Sequence, residues 1–181
     1  DGVYFTLIDV VDGVSEGLSL LSSQQPQLIA DIEKIEALAK GEKVRLDGLE
    51  QFKRRIAEAD ITTGCYDKNV VNTIGCYAGW LFSRILADGT VVPCCREVHL
   101  GVGNLHKDRF RAIWNGSLQR SFRSHAKFFP KTNPYFKEVK CEKLCDHISE
   151  NVEMHACLEG LSDEERTKLE KYARYVSVVK Q

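Results

Sequence analysis

The sequence has almost no net charge and no long hydrophobic segment. Its 181 residues contain 25 Lys and Arg against 26 Asp and Glu, which leaves a formal charge of −1. A balanced charge gives no overall attraction to nucleic acid or to an acidic membrane surface. No apolar run approaches the roughly 18 residues that a membrane-spanning helix requires. We therefore expect neither a nucleic acid nor a membrane as a partner.

Cysteine, in contrast, is abundant. The chain contains seven cysteines, an odd number in a sequence longer than most secreted disulfide scaffolds. Thiols persist in a reducing compartment, where they bind metals or take part in chemistry. This usage indicates a cytoplasmic protein whose cysteines hold a metal ion or an iron–sulfur cluster.

Residues 1–62 have the pattern of an α/β unit. Val3–Val11 is rich in β-branched and aromatic residues and predicts a buried strand. One helix is predicted from Pro26 to Gly41, and a second from a capping box formed by Asp47 and Glu50. Because one strand cannot form a sheet alone, this unit is expected to pair with further strands. The predicted core-facing residues are Leu28, Ile32, Ile35 and Ala39 in the first helix and Leu49, Phe52, Ile56 and Ala59 in the second.

A β-hairpin is predicted in the middle of the chain. Trp80–Ala87 forms its first strand, Asp88-Gly89 a two-residue turn, and Thr90–Val92 the return strand. The outer ends of two paired strands lie side by side. The hairpin therefore predicts that Cys76, before the first strand, lies near Cys94, after the second.

The rest of the chain predicts mostly helix. Residues 104–125 predict short helices and residues 126–140 a loop. Ser162 and Glu165 form a capping box that opens a last helix. Its predicted apolar stripe consists of Leu169, Tyr172, Val176 and Val179.

The spacing of the thiols favours a cluster over a single ion. Zinc modules usually use two tight cysteine pairs, and here only Cys141 and Cys145 form such a pair. Cys94 and Cys95 are adjacent, and adjacent cysteines rarely bind one zinc together. A larger cluster accepts distant ligands more easily, because each iron occupies its own corner. Zinc bound by Cys141, Cys145 and a histidine stays open as an alternative, and the candidates are His147 and His155.

Several motifs then occur in the order of a known family. They are Cys76-Tyr-Ala-Gly-Trp80, Asp88 to Cys95, Gly103-Asn104-Leu105 and Ile113-Trp114-Asn115. This series is similar to the SPASM/twitch domain of radical S-adenosylmethionine (SAM) enzymes. The family pattern is a cysteine, a gap, a glycine, four further residues and a second cysteine. Cys76, Gly89 and Cys94 match it, with twelve residues in the first gap.

The resemblance implies a ligand set and a cofactor. Cys76, Cys94, Cys141 and Cys145 are the implied ligands of one auxiliary [4Fe–4S] cluster, with Cys95 and Cys157 as alternates. The full family pattern continues with C-x2-C-x5-C-x3-C and holds two clusters. This chain has C-x3-C-x11-C instead, which leaves too few thiols for two complete sets. One cluster is therefore expected, and two is the alternative.

The resemblance also implies the fold and the context. Residues 1–62 would be the C-terminal end of a partial (β/α)6 radical SAM barrel. Residues 63–160 would be a small α+β SPASM/twitch domain, and 161–181 a C-terminal helix. The SAM-binding motif C-x3-C-x2-C is absent from the sequence. The chain is thus expected to be a C-terminal portion that cannot cleave SAM alone, with SAM and a second cluster bound upstream.

The implied function is to support radical modification of a substrate by electron transfer or substrate positioning. The implied partners are the upstream barrel, a peptide or small polar substrate, and a reductant such as flavodoxin or ferredoxin. Two alternatives stay open. One is a zinc-stabilised binding module, and the other an iron–sulfur carrier that acts in trans with a separate barrel protein.

Overall fold

The computed structural model describes residues 1–11, 13–59, 61–127, 136 and 139–168. These residues form a mixed α/β structure with a two-stranded parallel sheet and a three-stranded antiparallel sheet. The strands are β1 (Gly2–Tyr4), β2 (Arg45–Asp47), β3 (Arg84–Ile85), β4 (Thr90–Val92) and β5 (Gly103–Asn104). The helices are α1 (Gln25–Glu42), α2 (Leu49–Glu58), α3 (Lys68–Val71), α4 (Ala78–Leu81), α5 (Phe110–Trp114), α6 (Ser117–Ala126) and α7 (Ile148–Glu159).

The N-terminal sheet is a parallel pair joined by a helix. Strand β1 pairs with β2 in a register that places Val3 opposite Leu46, and α1 forms the crossover between them. The predicted strand Val3–Val11 is therefore too long, because β2 has only three residues to pair with. The partner strand β2 itself was not predicted. The sequence interpretation of an α/β unit is correct, but no barrel is seen in the described residues.

The two long helices start and stop at other residues than predicted. Helix α1 continues past Gly41 and is closed by Lys43, whose φ of 54° is left-handed. The predicted capping box at Asp47 does not form, because the Asp47 carboxylate accepts hydrogen bonds from Arg45 instead. Gly48, with a φ of 73°, occupies the N-cap of α2. The predicted faces are correct, since Ile32, Phe52 and Ile56 are buried and Leu28, Ile35, Leu49, Ala39 and Ala59 are buried or half-buried.

One apolar core connects the first two predicted domains. It consists of Leu7, Ile32, Leu49, Phe52, Ile56, Ile61, Tyr66 and Leu144. Tyr66 and Leu144 come from the far side of the boundary predicted at residue 62. Full burial of one large apolar side chain contributes about 1.5–3 kcal/mol, so these contacts hold the N-terminal unit and the segment around Leu144 together.

The hairpin exists but is shorter than predicted. Residues 80 and 81 belong to the helical turn α4. Gly79 of this turn packs directly against Phe122, where a Cβ would lie 2.7 Å from the ring. The hairpin loop has three residues, with Gly89 in the left-handed region at φ 80° and its N–H bonded to the Leu86 carbonyl. This is a type I turn followed by a glycine bulge, and Asp88 needs no positive φ in it.

A third strand and two helices complete the second sheet region. Gly103–Asn104 pairs with β4 as β5, which corrects the prediction that helix begins at Asn104. Helices α5 and α6 confirm the short helices predicted over 104–125, although α6 ends one residue later, at Ala126. At the far end the Ser162 and Glu165 capping box forms as predicted, and residues 163–168 are helical. The predicted stripe from Leu169 to Val179 lies outside the described residues. Within the described part of the chain, no helix is both long and apolar enough to cross a membrane.

Candidate metal centre

Cys76 lies on a short loop that is fastened to helix α6. Its backbone N–H donates to the Ala126 carbonyl at 2.8 Å. Its side chain packs against a small apolar cluster that also contacts Cys94 and Cys141. The members of that cluster are Phe122, Ala126, Phe136 and Val139. The hairpin argument for bringing Cys76 near Cys94 therefore agrees with the packing, although the anchor is α6 and not a strand.

Cys94 follows β4 and the buried Pro93. Burial raises the pKa of the Cys94 thiol to about 12, and the nearby Cys76 and Cys95 add to the rise. The backbone N–H groups of Arg96 and Glu97 form hydrogen bonds to this thiol and act in the opposite direction. Two backbone donors directed at one sulfur favour its thiolate, which is the form that binds metals.

Cys141 and Cys145 complete the group. Burial raises the pKa of Cys145 well above its usual value, and so do the nearby Cys76, Cys141 and Cys94. The His147 backbone N–H acts in the opposite direction through a hydrogen bond to the Cys145 thiol. A cavity of about 20 Å³ lies between the thiols. Its wall consists of Val71, Ile74, Gly75, Cys76, Cys141, Cys145, Ile148 and Asn151.

The donor set matches the chemistry of an iron–sulfur cluster. Iron–sulfur clusters are held by four thiolates. Here four thiols from three chain segments lie close enough together to raise the pKa of Cys94 and Cys145. Among the described side chains, no three His, Cys, Asp or Glu converge on a position for a single metal ion. The cavity bordered by Cys76, Cys141 and Cys145 has room for about one water molecule, which is less than a four-iron cluster needs. Binding of a cluster must therefore spread the walls of this cavity.

A buried ion pair fixes the backbone of Cys145. Asp67 is fully buried, and its carboxylate accepts a 2.7 Å hydrogen bond from the Cys145 N–H. The Arg55 guanidinium donates to both oxygens of Asp67, at 3.0 and 2.7 Å, and to the Cys145 carbonyl at 3.0 Å. Arg54 donates to the same carboxylate at 2.6 Å. Helix α2 of the N-terminal unit thus holds a predicted ligand through Asp67.

A buried asparagine lies beside the sulfurs. Asn151, on α7, is 3% exposed. Its Nδ2 lies 3.9 Å from the Sγ atoms of both Cys76 and Cys145. Its Oδ1 accepts the Tyr77 backbone N–H at 2.6 Å.

The other predicted candidates lie outside this group. Cys95 lies on the wall of a second cavity, Cys157 is exposed on α7, and Cys65 is half-buried near Thr63. The His147 ring packs on Phe82 with centroids 4.3 Å apart, and its Nε2 is buried without a hydrogen-bond partner among the described residues. His155 Nδ1 lies 3.2 Å from the Tyr77 hydroxyl.

The second cavity adjoins the first. It has a volume of about 310 Å³, and Asn151 forms part of the wall of both. Polar groups of Cys95, Asp146, His147 and Glu150 border it, together with apolar Ala78, Leu81 and Phe82. A molecule of moderate size would therefore fit next to the cysteine group.

Residues 76–146 match the family model of SPASM, an iron-sulfur cluster-binding domain. The chain contains a SPASM domain. The match confirms the family resemblance and indicates iron–sulfur cluster binding, and it is consistent with the C-terminal part of a radical SAM protein. Comparison with curated proteins and with solved structures found no match to this chain. The matched segment includes the four predicted ligands and Cys95, whereas Cys65 and Cys157 lie outside it.

Sequence reasoning missed the polar residues around the sulfurs. Asp67, Arg55 and Asn151 carry no motif and lie outside the SPASM segment. Charged and amide residues are usually exposed, so only the three-dimensional structure reveals that they are buried against cysteines. The position of Asn151 six residues after Cys145 would place it near the ligand, but nothing in the sequence reveals where its side chain points.

Proposed function

We propose that this chain carries one auxiliary [4Fe–4S] cluster of a radical SAM enzyme, held by Cys76, Cys94, Cys141 and Cys145. The SPASM domain supports the cluster. The choice of ligands rests on one observation: Cys76, Cys141 and Cys145 line one cavity, and Cys94 lies close enough to Cys76 and Cys145 for their charges to interact. Cys95 and Cys157, the alternates, lie respectively on the other cavity and at the surface.

The ligand count favours electron transfer over direct binding of substrate. A cluster supplies one-electron chemistry at a potential set by its surroundings. Four protein thiolates leave no iron open to a substrate. The residues around them exclude water with apolar side chains and direct N–H groups of Arg96, Glu97 and His147 at sulfur.

The N-terminal unit supports the proposed radical SAM context. Its parallel β1–α1–β2 unit has the connection that a (β/α) barrel repeats. Tyr4 of β1 is 67% exposed, which is unusual for a parallel strand, because parallel sheets are normally covered on both faces. An upstream barrel would cover it.

The proposed substrate, a peptide or small polar molecule, would approach the cluster through the 310 Å³ cavity. The proposed reductant is a flavodoxin or a ferredoxin.

Anaerobic reconstitution tests the proposal. We expect a brown protein with about four iron and four sulfide per chain. The variants Cys76→Ala and Cys94→Ala serve as tests of the ligands, with Cys65→Ala as the matched control. Stoichiometric zinc in a colourless protein would show the zinc-stabilised module instead. Formation of 5′-deoxyadenosine from SAM by this chain would place the SAM-binding cluster here, contrary to the proposal.

A further inference from the structure

Asn151 has a fixed orientation in the interior of the molecule. A backbone N–H can only donate a hydrogen bond, so the acceptor Oδ1 of the amide must face the Tyr77 N–H, 2.6 Å away. The opposite end of the amide, the NH2 group, is then directed at the sulfurs. The usual ambiguity between the oxygen and nitrogen of an asparagine is thereby resolved by its neighbour.

The NH2 group lies between two sulfurs from different parts of the chain. Its nitrogen is 3.9 Å from the Sγ of Cys76 and 3.9 Å from the Sγ of Cys145. Two hydrogens on one nitrogen can serve both sulfurs. Burial of a polar amide is unfavourable unless its groups are hydrogen-bonded, and the contacts to Tyr77 and the two sulfurs offset that cost for Asn151.

Hydrogen bonds to cluster sulfurs change the reduction potential. Reduction adds negative charge to the cluster, and an N–H dipole stabilises the more negative form. A neutral amide does so without adding a charge of its own. The backbone donors at Cys94 and Cys145 belong to the main chain, whereas the Asn151 donor can be removed by substitution.

We propose that Asn151 is a positioning residue that raises the reduction potential of the cluster by donating N–H bonds to the sulfurs of Cys76 and Cys145. The proposal rests on the proposed function, since it requires a cluster on these cysteines. It also assigns a role to α7, which lies outside the matched SPASM segment. Asn151 further separates the sulfurs from the 310 Å³ cavity.

The test compares three variants of the reconstituted chain. Asn151→Asp keeps an acceptor for the Tyr77 N–H but loses the donors to sulfur, and Asn151→Leu loses both. Ile148→Val is the matched control, because Ile148 is 1% exposed, lies on the wall of the same cavity and has no polar side-chain atom. Redox titration followed by EPR is expected to give a lower midpoint potential for both Asn151 variants and an unchanged one for Ile148→Val.

A second measurement does not depend on the folding of any variant. Pulsed EPR of the reduced unsubstituted protein, with and without ¹⁵N-asparagine, is expected to show hyperfine coupling to a side-chain nitrogen. The inference is overturned, while the proposed function stands, if the protein binds the cluster but the coupling is absent and the Asn151 variants keep the original potential. If the unsubstituted chain binds no cluster at all, the proposed function fails together with this inference.

Discussion

The two halves of the described chain are held together by different means. The N-terminal unit has two helices of 18 and 10 residues and a contiguous apolar core. The SPASM segment has strands of two or three residues and helices of four, five and ten residues. Its apolar clusters are small, and four thiols and several buried polar groups lie between them.

This difference indicates that the first half is stabilised by burial and the second by specific polar contacts and the proposed cluster. Small domains that cannot bury enough apolar surface commonly depend on a metal or on disulfides. Arg55 and Asp67 join the two halves, because both form hydrogen bonds to the backbone of Cys145. Substitutions in the apolar core of the first half should therefore change the free energy of unfolding, and substitutions in the second half should change cluster binding.

Removing a predicted ligand should have the largest effect. We expect Cys76→Ala and Cys94→Ala each to lose the cluster, because a missing thiolate leaves one iron corner unbound. Iron and sulfide analysis with visible absorption measures the loss, and Cys65→Ala should retain the colour. Loss of the cluster in Cys65→Ala but not in Cys94→Ala would contradict the ligand assignment and make Cys95 the next candidate.

Breaking the ion pair should affect both halves. Asp67→Asn leaves the Arg55 cation, whose side chain is 4% exposed, without its carboxylate. Loss of one partner of a buried pair costs on the order of 3–5 kcal/mol of the free energy of unfolding. Denaturant titration should show this loss, and cluster release to a chelator should become faster because Cys145 loses its anchor. Arg54→Gln, at the more exposed arginine, should have a smaller effect on both.

A cavity in the apolar core should destabilise the fold without changing the cluster. Ile56 is 0% exposed, and Ile56→Ala is expected to lower the free energy of unfolding by about 2–5 kcal/mol. The EPR spectrum and midpoint potential of the reconstituted variant should match those of the original protein. A shifted spectrum would show that the two halves are not separable in this way.

Two glycines allow a direct comparison of backbone constraint in the halves. Gly48 and Gly89 both have positive φ, and an L residue there costs about 1–3 kcal/mol. A Cβ at Gly48 would lie 2.9 Å from the Phe5 carbonyl oxygen, whereas one at Gly89 would meet only side chains, with His106 at 2.7 Å. Gly48→Ala should therefore lower the thermal midpoint more than Gly89→Ala. Equal losses of the thermal midpoint would mean that the positive φ alone, and not the close contact with the Phe5 carbonyl, determines the effect.

The smallest effect is expected at the ion pair between Lys53 and Glu36. Its atoms lie 3.0 Å apart between α1 and α2, and a half-buried pair that solvent still reaches contributes little. Glu36→Gln should leave the thermal midpoint and the iron content unchanged. A clear loss of iron would show that even a small change at the contact between α1 and α2 reaches Cys145, and the Asp67 result would then not be specific to the ion pair.

The sequence was sufficient to predict features that depend on local pattern. The helical faces around Ile32 and Ile56, the hairpin near Gly89 and the capping box at Ser162 follow from periodicity and turn chemistry. Strand β2 was not predicted, because three residues give too short an alternation to be recognised. The hairpin loop has three residues because Gly89 is left-handed and Asp88 is not. The dipeptide Asp88-Gly89 also fits a two-residue turn, so it does not determine the loop length.

The candidate site also has features that the sequence predicted and features that it did not. Cysteines are few enough that their spacing identifies the family, and Cys76, Gly89 and Cys94 were sufficient for that. The roles of Asp67 and Asn151 depend on burial and on contacts with residues about 75 positions away. Such contacts leave no periodic trace in a single sequence, so the surroundings of the sulfurs could not be predicted.

The long sequence separation of these contacts has a consequence for the order of folding. Lys143 donates to the Val10 carbonyl across 133 residues, and Arg55 reaches Cys145 across 90. Closing such long loops costs more chain entropy than forming α1 and α2. We therefore expect the segment of Cys141 and Cys145 to dock late, onto an N-terminal unit that has already folded. Iron and sulfide delivered during synthesis would meet Cys76 and Cys94 first, and the last two thiols would close over them.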